Sequence, residues 1–419
     1  MAVINDYMRF LLNKTEGEVV GAVVDALKGA GFVELTPNAQ LKRGAKVFWR
    51  HRNFVGAAVI GHQKDVFRVI AAHVDAPRLD LKPTPFVERD DYVYLKTQYY
   101  GGVKFFHWLA RPLEIRGKVV TVDGDEYFVS IPTTITDFAP HLDREYLNKT
   151  VKDAFDPEKL EPIVALGKKD EVFSKIRSEF GVDPQDFLSA DLEIVPMARP
   201  ERFGAHREFI MAYGHDDRSS VFTMLRALTS AELHGGTSVA LFVDREEVGS
   251  TTPESATSSI IDLFFLKLLR ATGAPATMES LLSMYASSQF ISADVSAGYD
   301  PLYGDLYDKE NAPRLGSGIV ISKYTGSGGK YYGSEASAEY VAFIRKILED
   351  SEIPYQSGTL GKVGKSGGST VAVYFARRGA SVVDMGIPVL SMHAPTEVAA
   401  VADIETACRA YKAFYEWVD

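Results

Sequence analysis

The stretch Phe67-Arg68-Val69-Ile70-Ala71-Ala72-His73-Val74-Asp75 decides how this chain is read: an apolar run of strand length ends directly on a histidine, with an aspartate two residues beyond. The same layout returns three times. Glu246 and Glu247 follow Val239-Ala240-Leu241-Phe242-Val243, Asp294 follows Phe290-Ile291, and His393 follows Val389-Leu390-Ser391-Met392. In α/β proteins, ligands collect outside the carboxyl ends of parallel strands, so these distant residues are expected to converge at one end of a sheet.

A further motif, Gly214-His215-Asp216-Asp217-Arg218-Ser219-Ser220, precedes Val221, Met224, Leu225 and Leu228 at helical spacing. Asp216 therefore falls at or just before a helix N-terminus, where its two oxygens can bridge two cations, and Asp217 is read as a cap of that helix. Imidazole and carboxylate donors in this mixture suit zinc, with cobalt and manganese also accepting them. Asp75 stands where it can accept the ring N–H of His73 and fix the tautomer that faces a metal. Adjacent Glu246 and Glu247 repel one another unless positive charge lies nearby, and two divalent cations would provide it.

The surrounding chain reads as an α/β body interrupted by a β-rich insert. Thr15 and Glu18 have the spacing of a capping box, followed by an apolar stripe of Val20, Val23, Val24 and Leu27, with Gly29 as the stop. Val55 to Ile60 and Phe67 to Ala72 read as strands. From about 86 to 204 the pattern changes to β-branched and aromatic runs, Tyr92-Val93-Tyr94-Leu95, Val119-Val120-Thr121-Val122 and Tyr127 to Ile131, with a charged section from Asp153 to Asp170. Strand and helix alternation resumes at Phe209 and ends in a helix marked by Ile404, Cys408, Tyr411 and Tyr415. The expected domains are thus a discontinuous body of residues 1–85 and 205–419, a mixed sheet flanked by helices, and an insert of residues 86–204. The Gly-rich stretches Gly326 to Gly329 and Gly364 to Gly368 read as loops.

Composition excludes several classes. The 419 residues carry 46% hydrophobic and 24% charged side chains, and no apolar run approaches the roughly 20 residues that cross a bilayer. The N-terminus shows no secretory signal, so a cytoplasmic location is expected. A formal charge of −10 argues against nucleic acid as the main partner. Cys408, the single cysteine, rules out an internal disulfide and a thiolate-rich zinc site.

Five segments together resemble the M18 family of metallo-aminopeptidases, the aspartyl aminopeptidase family. They are His73-Val74-Asp75-Ala76-Pro77 with Lys82-Pro83, Asp216-Asp217-Arg218, Asp244-Arg245-Glu246-Glu247-Val248-Gly249-Ser250, Ser292-Ala293-Asp294, and Ser391-Met392-His393-Ala394-Pro395-Thr396-Glu397. The resemblance implies two zinc ions per subunit, one held by His73, Asp216 and Asp294, with Asp216 bridging to a second held by Glu247 and His393. It implies Glu246 as general base, releasing the first residue of a peptide substrate. It also implies a zinc-peptidase fold whose insert dimerises, dimers that assemble into a tetrahedral dodecamer, and a histidine, here His141, that reaches a neighbouring subunit's site. Lys330 roughly matches a basic pocket position and would pair with an acidic first side chain. The chain departs from the family pattern at Asp217, usually Asn, at Ala76, often Ser, and at Gly367-Gly368-Ser369-Thr370, where aspartyl-specific members carry a Gly-Thr-Thr segment.

The same residues fit other chemistry as well. A metal-dependent carboxypeptidase or amidohydrolase uses similar ligands, and an assembly protein could keep metals for structure alone. For His141 and Lys330 a solvated or interface role fits the sequence as well as a functional one. His62, His107, His206, His215 and His234 are read as structural, and Cys408 as a core residue. Gly364-Lys365-Ser366 lacks the glycine five residues earlier that a phosphate loop needs, since Thr359 stands there.

Overall fold

The computed structural model describes residues 2–146, 148–232, 235–365 and 367–418. Contact density divides the chain into two units, one of Met1–Asp75, Pro200–Met392 and Glu397–Asp419, the other of Ala76–Arg199 and His393–Thr396.

The first unit is built on a nine-stranded sheet. Its four central strands are β1 (Gln63–His73), β2 (Gly236–Val243), β3 (Gln289–Ser292) and β4 (Ser381–Gly386), in the spatial order β2-β1-β3-β4 and mutually parallel. Antiparallel strands flank them, Phe54–Val59 beside β2 and Ile319–Ser322 beside β4. Alternation along each central strand sends successive side chains to opposite faces. Ile70, Ala72, Ala240, Phe242 and Ile291 enter one core, while Val69, Ala71, Val239, Leu241 and Phe290 enter the other. Burial on both faces explains why these strands are continuous apolar runs.

Helices cover both faces. On the first lie α1 (Ala2–Phe10), α2 (Glu16–Gly29), α3 (His215–Ser230), Ala338–Asp350 and α4 (Val401–Glu416); on the second lie Ser259–Ala271, Met278–Ser287 and Ala372–Arg377. The capping box of α2 is formed: Thr15 Oγ1 accepts the Glu18 N–H at 3.3 Å and Glu18 Oε2 accepts the Thr15 N–H at 3.1 Å. Gly29 is its last residue, and Ala30 closes it. Cys408 packs half-buried against the α4 side of the core, and burial pushes its thiol up to about 12, which suits a core residue rather than a nucleophile. A smaller five-stranded sheet in this unit joins Glu201–Phe203, Phe209–Ala212, Glu397–Ala400, Pro388–Leu390 and Ser296–Ala297.

The second unit has a six-stranded antiparallel sheet of Glu126–Thr133, Leu113–Val120, Ala190–Pro196, Arg78–Arg89, Tyr92–Tyr100 and Ile163–Leu166, in that order. It has its own core, with Leu79, Leu95, Trp108, Ile115, Val129 and Ile194 among its buried residues. No described helix is long and apolar enough to cross a membrane.

Two expectations are corrected. The strand before His393, Pro388–Leu390, belongs to the five-stranded sheet, parallel to Ser296–Ala297 and antiparallel to Glu397–Ala400, so only His73, Glu246–Glu247 and Asp294 follow central parallel strands. A short apolar run does not say which sheet it joins. The two Gly-rich stretches are not simply loops, because Gly326-Ser327 pairs antiparallel with Gly367-Gly368.

Candidate metal centre

Strand register brings the acids to His73. Val243 lies opposite His73 and Ser292 opposite Ala71, so Asp294, two residues past the end of β3, comes level with the histidine. The Ala293 N–H holds this alignment by donating to the Ala71 carbonyl at 2.7 Å. From above the strand ends comes the start of α3, where Asp216 and Asp217 have non-helical dihedrals and are joined by a cis peptide bond. The Asp216 N–H donates to Glu397 Oε2 at 3.1 Å.

The imidazole of His73 is buried and each nitrogen faces a carboxylate. Nε2 lies 3.2 Å from Asp216 Oδ1 and 4.0 Å from Asp294 Oδ1. Nδ1 lies 3.1 Å from the Asp75 carbonyl and 3.3 Å from its Oδ1, which assigns that nitrogen the proton and turns Nε2 toward the acids. Asp75 also accepts the backbone N–H groups of Glu246 at 3.1 Å and Glu247 at 3.2 Å, one on each oxygen. A single buried carboxylate therefore orients the histidine and pins the two-glutamate turn.

Potential ligand atoms of His73, Glu246 and Glu247 all lie within 4.8 Å of one another, and so do those of His73, Asp217 and Asp294. Asp216 and Glu247 likewise bring oxygens within 4.8 Å. Burial raises Asp217 and Asp294, opposed in part by His73, and the charge of Asp216 raises both further. Burial by itself lowers His73, but its contacts with Asp216 and Asp75 outweigh that and hold the imidazole well above its ordinary value. So many acids around one imidazole in a buried place leave negative charge that a divalent cation would balance. The donor set of imidazole nitrogen and carboxylate oxygen fits zinc.

Asp217 is the participant that sequence reading assigned to helix capping alone. Its Oδ2 accepts the His73 backbone N–H at 3.3 Å, and it joins the His73 and Asp294 group. Its only sequence signal was adjacency to Asp216, and neighbouring residues on a regular helix diverge by about 100°. Asp384 was also missed: it lies on β4 opposite Ser292, accepts hydroxyl hydrogen bonds from Thr370 at 2.5 Å and Ser334 at 3.3 Å, and is pushed up to about 6 by burial.

His393 belongs to the second unit, in left-handed backbone conformation (φ 65°), with Nδ1 3.0 Å from the Gly102 carbonyl. A Cβ at Gly102 would come 3.0 Å from that nitrogen. His141 is exposed on the short turn Pro140–Leu142. Lys330 is exposed, its Nζ 2.9 Å from Glu335 Oε1 and 4.1 Å from the centre of the Tyr324 ring. His215 is buried, its Nδ1 2.6 Å from the Tyr7 hydroxyl and its Nε2 3.1 Å from the Ile210 carbonyl, and burial lowers it to about 4, a neutral structural histidine. His62 and His206 are exposed and His107 partly so, while His234 and Ser366 lie outside the described residues.

Residues 11–415 match the family model described as aminopeptidase I zinc metalloprotease (M18). A probable M18 family aminopeptidase 1 from Thermotoga maritima is 36% identical, over 99% of this chain and 96% of its own length. The crystal structure of an M18 family aminopeptidase from Thermotoga maritima superposes with a TM-score of 0.96 at 36% identity, over 100% of this chain and 96% of that one. The crystal structure of aminopeptidase I from Clostridium acetobutylicum gives 0.91 at 30% identity, over 99% and 94%. The fold is shared more distantly by the mApe1 dodecamer of S. cerevisiae, with a TM-score of 0.79 at 20% identity, over 98% and 95%.

Proposed function

This chain belongs to the M18 family of zinc-dependent aminopeptidases, and from that premise we propose that it works with two zinc ions per subunit, held by His73, Asp216, Glu247, Asp294 and His393, with Glu246 as general base. The observation that carries this reading is the convergence of Asp216 at the start of α3, and of Asp294, Glu246 and Glu247 just past adjacent parallel strands, on the buried imidazole of His73. His393 enters the proposal through chain continuity, because it lies four residues before Glu397, whose carboxylate accepts the Asp216 N–H. Its Nδ1 is engaged by the Gly102 carbonyl, which leaves Nε2 as the ligand.

Bound zinc would polarise the scissile carbonyl and lower the pKa of the attacking water. Glu246 takes the proton of that water and delivers it to the departing amine, a double duty suited to a carboxylate that holds no metal. Asp75 keeps Glu246 and His73 in register by holding the backbone of the one and the ring of the other. The free α-amine is recognised by a metal or by a nearby carboxylate such as Asp294 or Glu246, restricting cleavage to the first residue.

The unit of residues 76–199, including the insert of residues 86–204 nearly whole, serves as the dimerisation domain, and His141 acts across the interface. Phe138, Leu142 and Val151, exposed apolar residues near His141 in the chain, support this because such side chains favour a partner surface. Dimers assemble further into a dodecamer, as the yeast relative does. An acidic first residue would pair with Lys330 by displacing Glu335.

The test is Glu246→Gln, which should abolish hydrolysis of a free-amine peptide while zinc content stays at two per subunit; unchanged turnover removes Glu246 as the base. Hydrolysis of an N-acetylated peptide at the same rate would rule out recognition of the amine. A panel of aminoacyl substrates decides the first-residue preference, with a Leu or Met optimum discarding the role of Lys330.

A further inference from the structure

Arg245, immediately before the two glutamates, has a left-handed backbone (φ 64°, ψ 29°). That conformation is strained for a non-glycine residue, and glycine or asparagine would fill it more cheaply. An arginine here calls for a compensating use of its side chain. The guanidinium, one quarter exposed, reaches into an acidic interior: Nη2 lies 3.4 Å from Glu16 Oε1 and Nε 3.7 Å from Asp244 Oδ2. Both carboxylates are buried. Glu16 is the first residue of α2, far away in sequence and fastened by the Thr15–Glu18 capping box. The main chain of Arg245 is equally engaged, its N–H donating to Asp244 Oδ1 at 2.8 Å and its carbonyl accepting the Ser250 N–H at 2.8 Å. Asp244 is held in turn by the Asn53 amide at 2.9 Å.

We propose that Arg245 is a positioning residue for the catalytic turn: its ion pair with Glu16 ties Glu246 and Glu247 to α2, so that helix shares in setting where the base and the metal-binding glutamate point. The turn is then held from two sides, by Asp75 on its backbone N–H groups and by Arg245 at its entry. The proposal rests on the roles given above to Glu246 and Glu247.

Arg245→Gly tests it, because glycine accepts the left-handed backbone and removes only the side chain. The full-length protein is assayed for kcat and KM on an aminoacyl substrate with zinc bound, for zinc affinity by chelator competition, and for melting temperature once zinc is removed. Outer supports of metal ligands are typically worth 10- to 100-fold. The expected result is a fall in kcat of about that size with KM within about twofold, zinc affinity weakened by roughly tenfold, and a lower melting temperature, since the buried Glu16 and Asp244 lose the cation between them. Arg245→Lys should recover most of the loss, since one charge near Glu16 is retained. Glu16→Gln should act in the same direction, and the double variant Glu16→Gln, Arg245→Gly should be no worse than Arg245→Gly alone. Unchanged kcat and zinc affinity in Arg245→Gly would overturn the proposal, as would Arg245→Lys performing no better than glycine or fully additive losses in the double variant. A wild-type protein without zinc-dependent hydrolysis would instead overturn the underlying reading.

Discussion

Replacing Asp75 by asparagine is the sharpest probe of how the centre is held. The substitution keeps the shape of a fully buried side chain but changes what it can accept. Wild-type Asp75 offers two anionic oxygens to three donors, the N–H groups of Glu246 and Glu247 and the Nδ1 side of His73. Asparagine keeps one oxygen and turns an NH2 toward a backbone N–H, so at least one charge-assisted hydrogen bond is lost and one buried donor is left facing another. Such a bond contributes about 1.5–3 kcal/mol. Taking 2–3 kcal/mol as the net loss predicts roughly a 30- to 150-fold fall in kcat/KM. The fold itself should survive. Asp244 is held up to about 8 by burial first and then by the charges of Glu16 and Asp75, so neutralising Asp75 relieves one repulsion in the metal-free protein. The assay is kcat/KM at saturating zinc alongside zinc affinity and the metal-free melting temperature. Activity and zinc affinity both within about threefold of wild type would refute the claim that Asp75 organises the site, a margin below 1 kcal/mol.

Three further outcomes are expected. Thr15→Ala removes the cap of α2 and should lower unfolding free energy by about 1 kcal/mol in urea titration, with no change if the cap carries no stability. Gly386→Ala would place a Cβ 1.9 Å from the Asp294 carbonyl oxygen, so it should cost about 1–3 kcal/mol of stability and weaken zinc binding by displacing Asp294; a fully active, equally stable variant would contradict the register described. Asp384, raised from 3.8 to about 6 by burial, makes a contribution to stability that is complete below the unfolded value and lost as pH rises through about 6. Asp384→Asn lacks that loss, so its stability relative to wild type should improve by roughly 2 kcal/mol between pH 4 and pH 7, and a difference independent of pH would show the carboxyl is not perturbed.

Features encoded by neighbouring residues were legible in the sequence. The α2 cap is a local hydrogen-bond pattern three residues long, and within β1 the run Val69-Ile70-Ala71-Ala72 is continuously apolar and buried. α1 escaped notice because its nine residues carry no acidic first turn and only a brief stripe, Ile4, Tyr7 and Phe10, whose burial comes from packing beneath α3 and α4. The insert was read from a composition change near residue 86, but Arg78–Arg89 is one strand, and contact density separates the units at Asp75 instead. Composition shows where residue types change, not where a strand begins.

By itself, then, the sequence determined the chemistry: imidazole and carboxylates at the ends of buried runs, in an order that matched one family of peptidases. Only the tertiary structure decided the geometry. Which strands are neighbours, which residues stand level with His73, and that Asp217 joins the acids while Pro388–Leu390 lies in another sheet all depend on register and on contacts between residues hundreds of positions apart. Arg245 makes the same point: its ion pair with the buried Glu16, far away in sequence, is a contact that no local pattern announces.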